Sequence, residues 1–158
     1  MKARACMILA GAVIAASAAS PALADPLKLT PLIDARLRYE GVEQQGKAEQ
    51  ADTLTFRMRN GLEAKSGPWS LLAEAEATLA INGDYNSTVN GRTAFPVVAD
   101  PETIELNRLQ LQYRGLPKTV VTLGRQRINL DDQRFVGTVL WRQNEQTYDA
   151  VRLESSAI

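Results

Sequence analysis

The sequence predicts an all-β fold: an antiparallel meander of about six long strands forming part of a transmembrane outer-membrane β-barrel. Three observations predict it. Six segments, at 32–42, 52–64, 69–81, 104–114, 119–128 and 142–154, alternate apolar and polar residues with the two-residue period of strands. The connections between them alternate in length, with tight ones at 65–68 and 115–118 and longer ones at 43–51, 82–103 and 129–141. Each segment is about 10 to 13 residues long, whereas soluble strands usually run to about 5 or 6 and ~9 to 11 tilted residues cross a bilayer.

Residues 1–24 are set aside as an exported leader. Lys2 and Arg4 precede an apolar run that ends in Ala22-Leu23-Ala24, the pattern of a secretory signal peptide with cleavage before Asp25. Its apolar run is too short to span a bilayer as a helix, and no later segment is long enough. Residues 25–158 then form the barrel-wall domain, and localisation in the bacterial outer membrane is expected. Cys6, the single cysteine, belongs to the leader and precedes its apolar run, so a disulfide is excluded from the remainder.

Composition narrows the function. Without Lys2 and Arg4, 16 basic residues stand against 18 acidic ones, a net charge of −2 that points to no nucleic-acid partner. The chain has no histidine, which removes catalytic triads, imidazole acid–base chemistry and histidine-ligated metals. No catalytic residue, cofactor or metal is therefore expected, and the chain is not read as an enzyme.

The first strand places Asp34, Arg36, Arg38 and Glu40 on one parity. The second, within LTFRMRNGLEA at 54–64, puts Leu54, Phe56, Met58 and Leu62 on one face and Thr55, Arg57, Arg59 and Glu63 on the other. The third contains LLAEAEATLA, which has high helix propensity. Yet Trp69, Leu71, Ala73, Ala75, Ala77, Leu79 and Ile81 share one parity and Glu74, Glu76 and Thr78 the other, which decides for a strand. The fourth sets Arg108, Gln110, Gln112 and Arg114 against its apolar parity.

A face this charged cannot be a dry core, because unpaired buried ions cost several kcal/mol each. It is expected to face water as the lining of a lumen, with the apolar face toward lipid. The expected pore-lining residues are thus Asp34, Arg36, Arg38, Glu40, Arg57, Arg59, Glu74, Glu76, Arg108, Gln110, Gln112 and Arg114. Tyr39, Phe56, Trp69 and Tyr113 all carry the outward parity near strand ends, as an aromatic girdle would.

The fifth strand leaves Arg125 and Arg127 on the outward parity. Either a bulge at Gly124 turns them inward, or they reach toward lipid phosphates at the outer leaflet. The sixth is divided, since Tyr148 and Ala150 differ in parity from Val151 and Leu153.

Other readings of single features are blander. Glu74 and Glu76 share a face at about 7 Å and could serve a glycosidase, but two wall carboxylates facing neighbouring arginines explain them better. Asn129, Asp131 and Asp132, or Asp84 and Asn86, do not complete a calcium loop. Asn86-Ser87-Thr88 matches a glycosylation sequon by chance in an exported barrel. The main alternative is a soluble periplasmic β-sandwich that binds carbohydrate through its arginine-rich face.

The run at 105–154, ELNRLQLQYRGLPKTVVTLGRQRINLDDQRFVGTVLWRQNEQTYDAVRLE, together with GDYN at 83–86 and FPVVADPE at 95–102, resembles the amino-terminal part of alginate-export family outer-membrane porins. The resemblance covers essentially everything after the leader, and GRQRINLDDQRFVG is a specific stretch. It implies a monomeric barrel that passes small or anionic solutes, in some members a uronate polysaccharide. Arginines at 36, 38, 57, 59, 108 and 114 suit such solutes. The implied partners are outer-membrane lipid and lipopolysaccharide, the barrel assembly machinery and the solute in transit. Six strands fall short of the ~8 that a closed bacterial barrel needs, and the chain ends in SSAI without a terminal aromatic, so a truncated barrel is expected.

Overall fold

The structure, a computed structural model, describes residues 25–156; the expected signal peptide lies outside them. One sheet contains β1 (Lys28–Val42), β2 (Ala51–Ser66), β3 (Trp69–Asp84), β4 (Thr103–Leu116), β5 (Thr119–Gln126) and β6 (Tyr148–Ser155). Neighbours in sequence are neighbours in the sheet, and every pairing is antiparallel. β1 and β6 are not paired with each other, so the sheet is open, as a portion of a barrel wall would be. The ambiguous LLAEAEATLA stretch is strand, inside β3.

The first four strands are longer than expected, at 14 to 16 residues, and the last two shorter, at 8. β6 begins at Tyr148 rather than at 142. The reason is that the preceding residues leave the sheet plane: Gln143 and Glu145 turn toward its polar face and are buried there. Residues 127–147 thereby form a strap folded over the inner side of the sheet, whereas the sequence reading treats their last six as wall.

Register explains the two faces. Leu29 stands opposite Ala64, Ala64 opposite Leu71, Leu71 opposite Leu111, Leu111 opposite Leu123 and Leu123 opposite Val151, an apolar row across all six strands. The other face carries Asp34 opposite Arg59, Arg59 opposite Glu76, and Glu74 opposite Arg108. Burial is inverted relative to a water-soluble protein: Ile33 and Ile104 are 74% and 84% exposed, while Arg59 and Glu76 are 3% and 0% exposed. The small apolar cluster is peripheral, with Tyr85 and Val98 of the 85–102 loop packed on Ala51 near Val42 and Ala80.

Two irregularities position side chains. A register shift between Glu74 and Ala75 leaves Asn107 as the extra residue of β4, where it lies buried against the inner network. At Gly124, φ is +108°, and a Cβ there would stand 2.3 Å from the Leu109 carbonyl oxygen, so only glycine lets β5 lie this close to β4.

Candidate functional site: the charged inner wall and its strap

The register brings Asp34, Arg36, Arg38 and Glu40 of β1, Arg57 and Arg59 of β2, Glu74 and Glu76 of β3, and Arg108, Gln110 and Gln112 of β4 to one face. Arg114 joins them near the short-turn end, donating to Gln112 Oε1 at 3.0 Å. The expectation that this whole face meets water requires correction. Arg57, Arg59, Glu74 and Glu76 are all under 5% exposed, because the strap lies on them. Burial is tolerated because each of these ions is paired, and a pair in good geometry offsets much of the desolvation that a lone charge cannot recover.

The centre of the site is a network of three arginines and three glutamates. Glu74 accepts from Arg108 at both oxygens, 2.8 Å from Nε and 2.6 Å from Nη2, and from Asn107 Nδ2 at 2.8 Å. Glu76 accepts from Arg59 Nε. Glu145, on the strap, completes the set: it lies 2.6 Å from Arg127 Nη2 and 3.4 Å from Arg59 Nη2 and also accepts from Asn107. Gly61 stands opposite Glu74, and a Cβ at Gly61 would stand 2.6 Å from the Ala73 carbonyl oxygen and 2.9 Å from the Glu74 Cβ, so the bare position lets β2 and β3 approach closely there.

Polar contacts hold the rest of the strap. Gln143 donates from Nε2 to Thr55 O and Oγ1, at 3.0 and 2.9 Å, and from its backbone N–H to Asp100 Oδ1 at 3.1 Å. Asn144 Nδ2 reaches Thr103 Oγ1 at 2.6 Å. Arg36 Nη1 donates to the carbonyls of Leu140 and Arg142 at 3.0 and 3.3 Å. Arg38 is clasped by Glu40 and Asp100. No large apolar side chain of the strap is buried, so ions and amides rather than a hydrophobic core hold it down.

The two arginines of GRQR part company. Arg125 stays on the outer face and pairs with Asp149 through both nitrogens, at 2.9 and 2.8 Å, while its Nη1 reaches Leu106 O at 3.1 Å. β5 ends at Gln126, so Arg127 is free of strand parity and turns inward to Glu145. Neither sequence alternative covers both residues. In β6, Val151 stands opposite outward Leu123 and Ala150 opposite Gly124, which settles the division: Tyr148 and Ala150 take the inner parity.

The four aromatics fall at the two ends of the sheet. Trp69 and Tyr113 are cross-strand neighbours at the short-turn end, with ring centroids 4.5 Å apart. Tyr39 and Phe56 lie at the long-loop end, where Tyr39 stands opposite Leu54 and Phe56 opposite Leu37.

The blander readings of the loop acids fit their contacts. Asn129 Oδ1 accepts from the N–H and hydroxyl of Thr138, Asp132 Oδ1 from Arg134 N, and Asn86 Oδ1 from Thr88 N, while Asp84 pairs with Arg92. Among the described residues, no group of three or more His, Cys, Asp or Glu side chains is placed to hold a metal ion. Sequence reasoning missed Asn107, Gln143 and Glu145. For Gln143 and Glu145 the one signal is the broken alternation of WRQNEQ at 141–146, within the segment the sequence reading treats as wall; for Asn107 there is none.

An antiparallel meander with an exposed apolar face and a charged face carrying its own inward loop is a wall of the outer-membrane barrel class. The chain matches the alginate export family over residues 33–157 and belongs to it. That membership places it with bacterial outer-membrane export proteins, which are transporters rather than enzymes. No curated protein and no solved structure was found to match.

Proposed function

We propose that this chain forms part of the wall of a charged aqueous pore for small or anionic solutes, uronate saccharides among them. The apolar row from Leu29 to Val151 would meet outer-membrane lipid, and the strap would narrow the lumen. The observation that carries this reading is the inversion of burial: the sheet exposes its leucines and isoleucines and covers its ions. A periplasmic sandwich would need a second sheet over the apolar face. The described residues form one sheet, and its loops cover the opposite side.

The aromatic positions support the same placement. Between Leu54, level with Tyr39, and Ser66, level with Trp69, β2 advances 12 residues. At ~3.3 Å per residue and a tilt of ~40° that is roughly 30 Å along the membrane normal, close to the ~25 Å apolar band between aromatic girdles.

The test uses neighbouring residues of β4 in a barrel-length family member carrying this segment. Leu109→Arg, on the lipid face four residues from the Tyr113 girdle level and so near the bilayer midplane, should cost ~2–4 kcal/mol of folding stability in vesicles, while Gln110→Arg, on the inner face, should cost under ~1 kcal/mol. Denaturant titration in lipid vesicles reads both. Equal, small effects would mean that neither face meets lipid.

A further inference from the structure

Strap residues Gln143, Asn144 and Glu145 cross the middle of the sheet. Gln143 holds Thr55 of β2, Asn144 holds Thr103 of β4, and Glu145 pairs with Arg127 and approaches Arg59. Between these anchor points runs β3, whose Thr78 stands opposite Arg57 on one side and Thr103 on the other, with Glu76 two residues along on the same face. The three strap side chains thus lie over Thr78 and Glu76.

This seam is short of donors. Gln143 Oε1, Asn144 Oδ1 and Glu145 Oε2 from the strap, and Glu76 Oε1 and Thr78 Oγ1 from β3, are buried oxygens without a hydrogen-bond partner. Glu76, Thr78 and Gln143 are fully buried, and Glu145 is 8% exposed. Carboxylate and amide oxygens only accept, so these four cannot satisfy one another, and the Thr78 hydroxyl has one proton to give. Arg59 Nη2 stands 3.4 Å from Glu145 Oε2 and makes no hydrogen bond to it. The remaining atoms of these side chains are engaged: Glu76 Oε2 on Arg59, Glu145 Oε1 on Arg127 and Asn107, and the Gln143 and Asn144 amide nitrogens on Thr55 and Thr103. The orphaned oxygens are therefore held in place, and buried acceptors gathered under one segment call for a common partner.

The charge of the seam selects that partner's sign. Arg59, Arg108 and Arg127 balance Glu74, Glu76 and Glu145. Glu105, opposite Glu76 across the β3–β4 ladder, forms no ion pair among the described residues and leaves the balance one charge negative. A cation is favoured there and an anion is not. A hollow of about 620 Å³, lined by Thr103, Glu105, Asn144 and Glu145, leads to the seam.

We propose that the seam between the strap and β3 binds a calcium ion, which clasps the strap to the wall. Two carboxylates, two amide carbonyls and a hydroxyl make an all-oxygen donor set, the kind that hard cations take. Calcium accepts six to eight oxygens in flexible geometry, and the hollow leaves room for water to complete the shell, whereas magnesium demands a near-ideal octahedron and keeps several waters of its own. Only two of the donors are acidic; the others are neutral oxygens. The strap supplies three of the five donors, so the docked strap binds the ion and the released strap does not.

The full chain, folded in detergent with its β-sheet signal verified by circular dichroism and freed of metal by a chelator, is titrated with calcium and with magnesium by calorimetry. Saturable binding of one calcium ion is expected, at least about tenfold tighter than magnesium. Thr78→Val keeps the shape of the side chain and breaks no hydrogen bond, since its hydroxyl makes none. It should weaken calcium binding about tenfold and Glu145→Gln more, while Asp84→Asn and Asp132→Asn, in the loops, leave it unchanged. Amide hydrogen exchange gives a second reading. The Gln143 N–H, which donates to Asp100 Oδ1, should exchange about 100-fold more slowly at a calcium concentration 100 times Kd. No saturable binding by the folded chain, or full affinity in Thr78→Val, would overturn the site, as would loss of binding in Asp84→Asn or Asp132→Asn. Equal affinity for magnesium would overturn coordination by this donor set, and unchanged Gln143 exchange would overturn the clasp. Because both readings are made without a membrane, their failure is distinguishable from failure of the lipid-facing assignment.

Discussion

Replacing Glu145 by Ala should release the strap. Glu145 is the strap's only carboxylate in the central network, and its side chain is fully buried between Arg59 and Arg127. Removing one member of a buried pair costs ~3–5 kcal/mol, most of it from the charge left behind. The lower end applies here. Arg59 keeps Glu76, and Arg127, 29% exposed, can turn to water or to Glu74 at 3.5 Å. A cost of ~3 kcal/mol raises the undocked population about 150-fold, at 1.36 kcal/mol per tenfold. Trypsin reads this directly. Cleavage after Arg142 requires access to the bond before Gln143, which is buried with its side chain on Thr55. When reclosing outpaces cleavage, the rate tracks the open population. The variant, folded in detergent, should therefore be cut at Arg142 about two orders of magnitude faster than the parent. Pairing Glu145→Gln with Arg127→Gln, which restores the charge balance, should recover part of the protection. A Glu145→Ala cleavage rate within about threefold of the parent would refute the argument that ion pairing holds the strap.

Two further outcomes are expected. Gly124→Ala should weaken the β4–β5 pairing, since its Cβ would meet Leu109 O at 2.3 Å and its φ of +108° is strained for any other residue; Gly46→Ala, at φ +85° with open space around it, should cost less, and amide hydrogen exchange along Leu109–Leu111 separates the two. Tyr85, whose hydroxyl donates to Asp100 O at 2.8 Å, has its pKa raised above the ordinary 10.0 by burial and by the charges of Glu102 and Asp100. A raised folded-state value means that its contribution to the packing of the 85–102 loop is complete below about pH 10 and is lost as pH rises through the folded value. Tyr85→Phe should abolish that alkaline step in loop protection while lowering stability at neutral pH.

The strands and their facing were legible because a two-residue period carries both at once. Asp34, Arg36, Arg57, Arg59, Glu74 and Arg108 could be assigned to one face from parity alone, and the register agrees. Parity failed where the chain stops obeying it. Arg127 lies one residue beyond the end of β5, and alternation says nothing about a residue that has left the sheet. Glu145 and Gln143 sit in WRQNEQ, a stretch without clear alternation, so only the tertiary position of the strap distinguishes them from wall residues. Asn107 was hidden by a bulge, which shifts register without marking the sequence.

The same limit explains why the charged face was expected to be wet. Parity counts charges strand by strand and cannot see which are cancelled by a segment far along the chain. Glu145 is separated from Arg59 by the whole of β3, β4 and β5, yet it helps make a buried Arg59 tolerable. Once those pairs are formed, the number of arginines on the face is a poor guide to its potential. The cations that the pairing leaves over on this face are Arg36 and Arg142 at the strap and Arg114 near the short-turn end. A wall built in this way holds its buried ions in pairs, and the strap is attached to it by ion pairs and amide contacts rather than by an apolar core. Substitutions among the paired residues should therefore register first as changes in folding and strap docking.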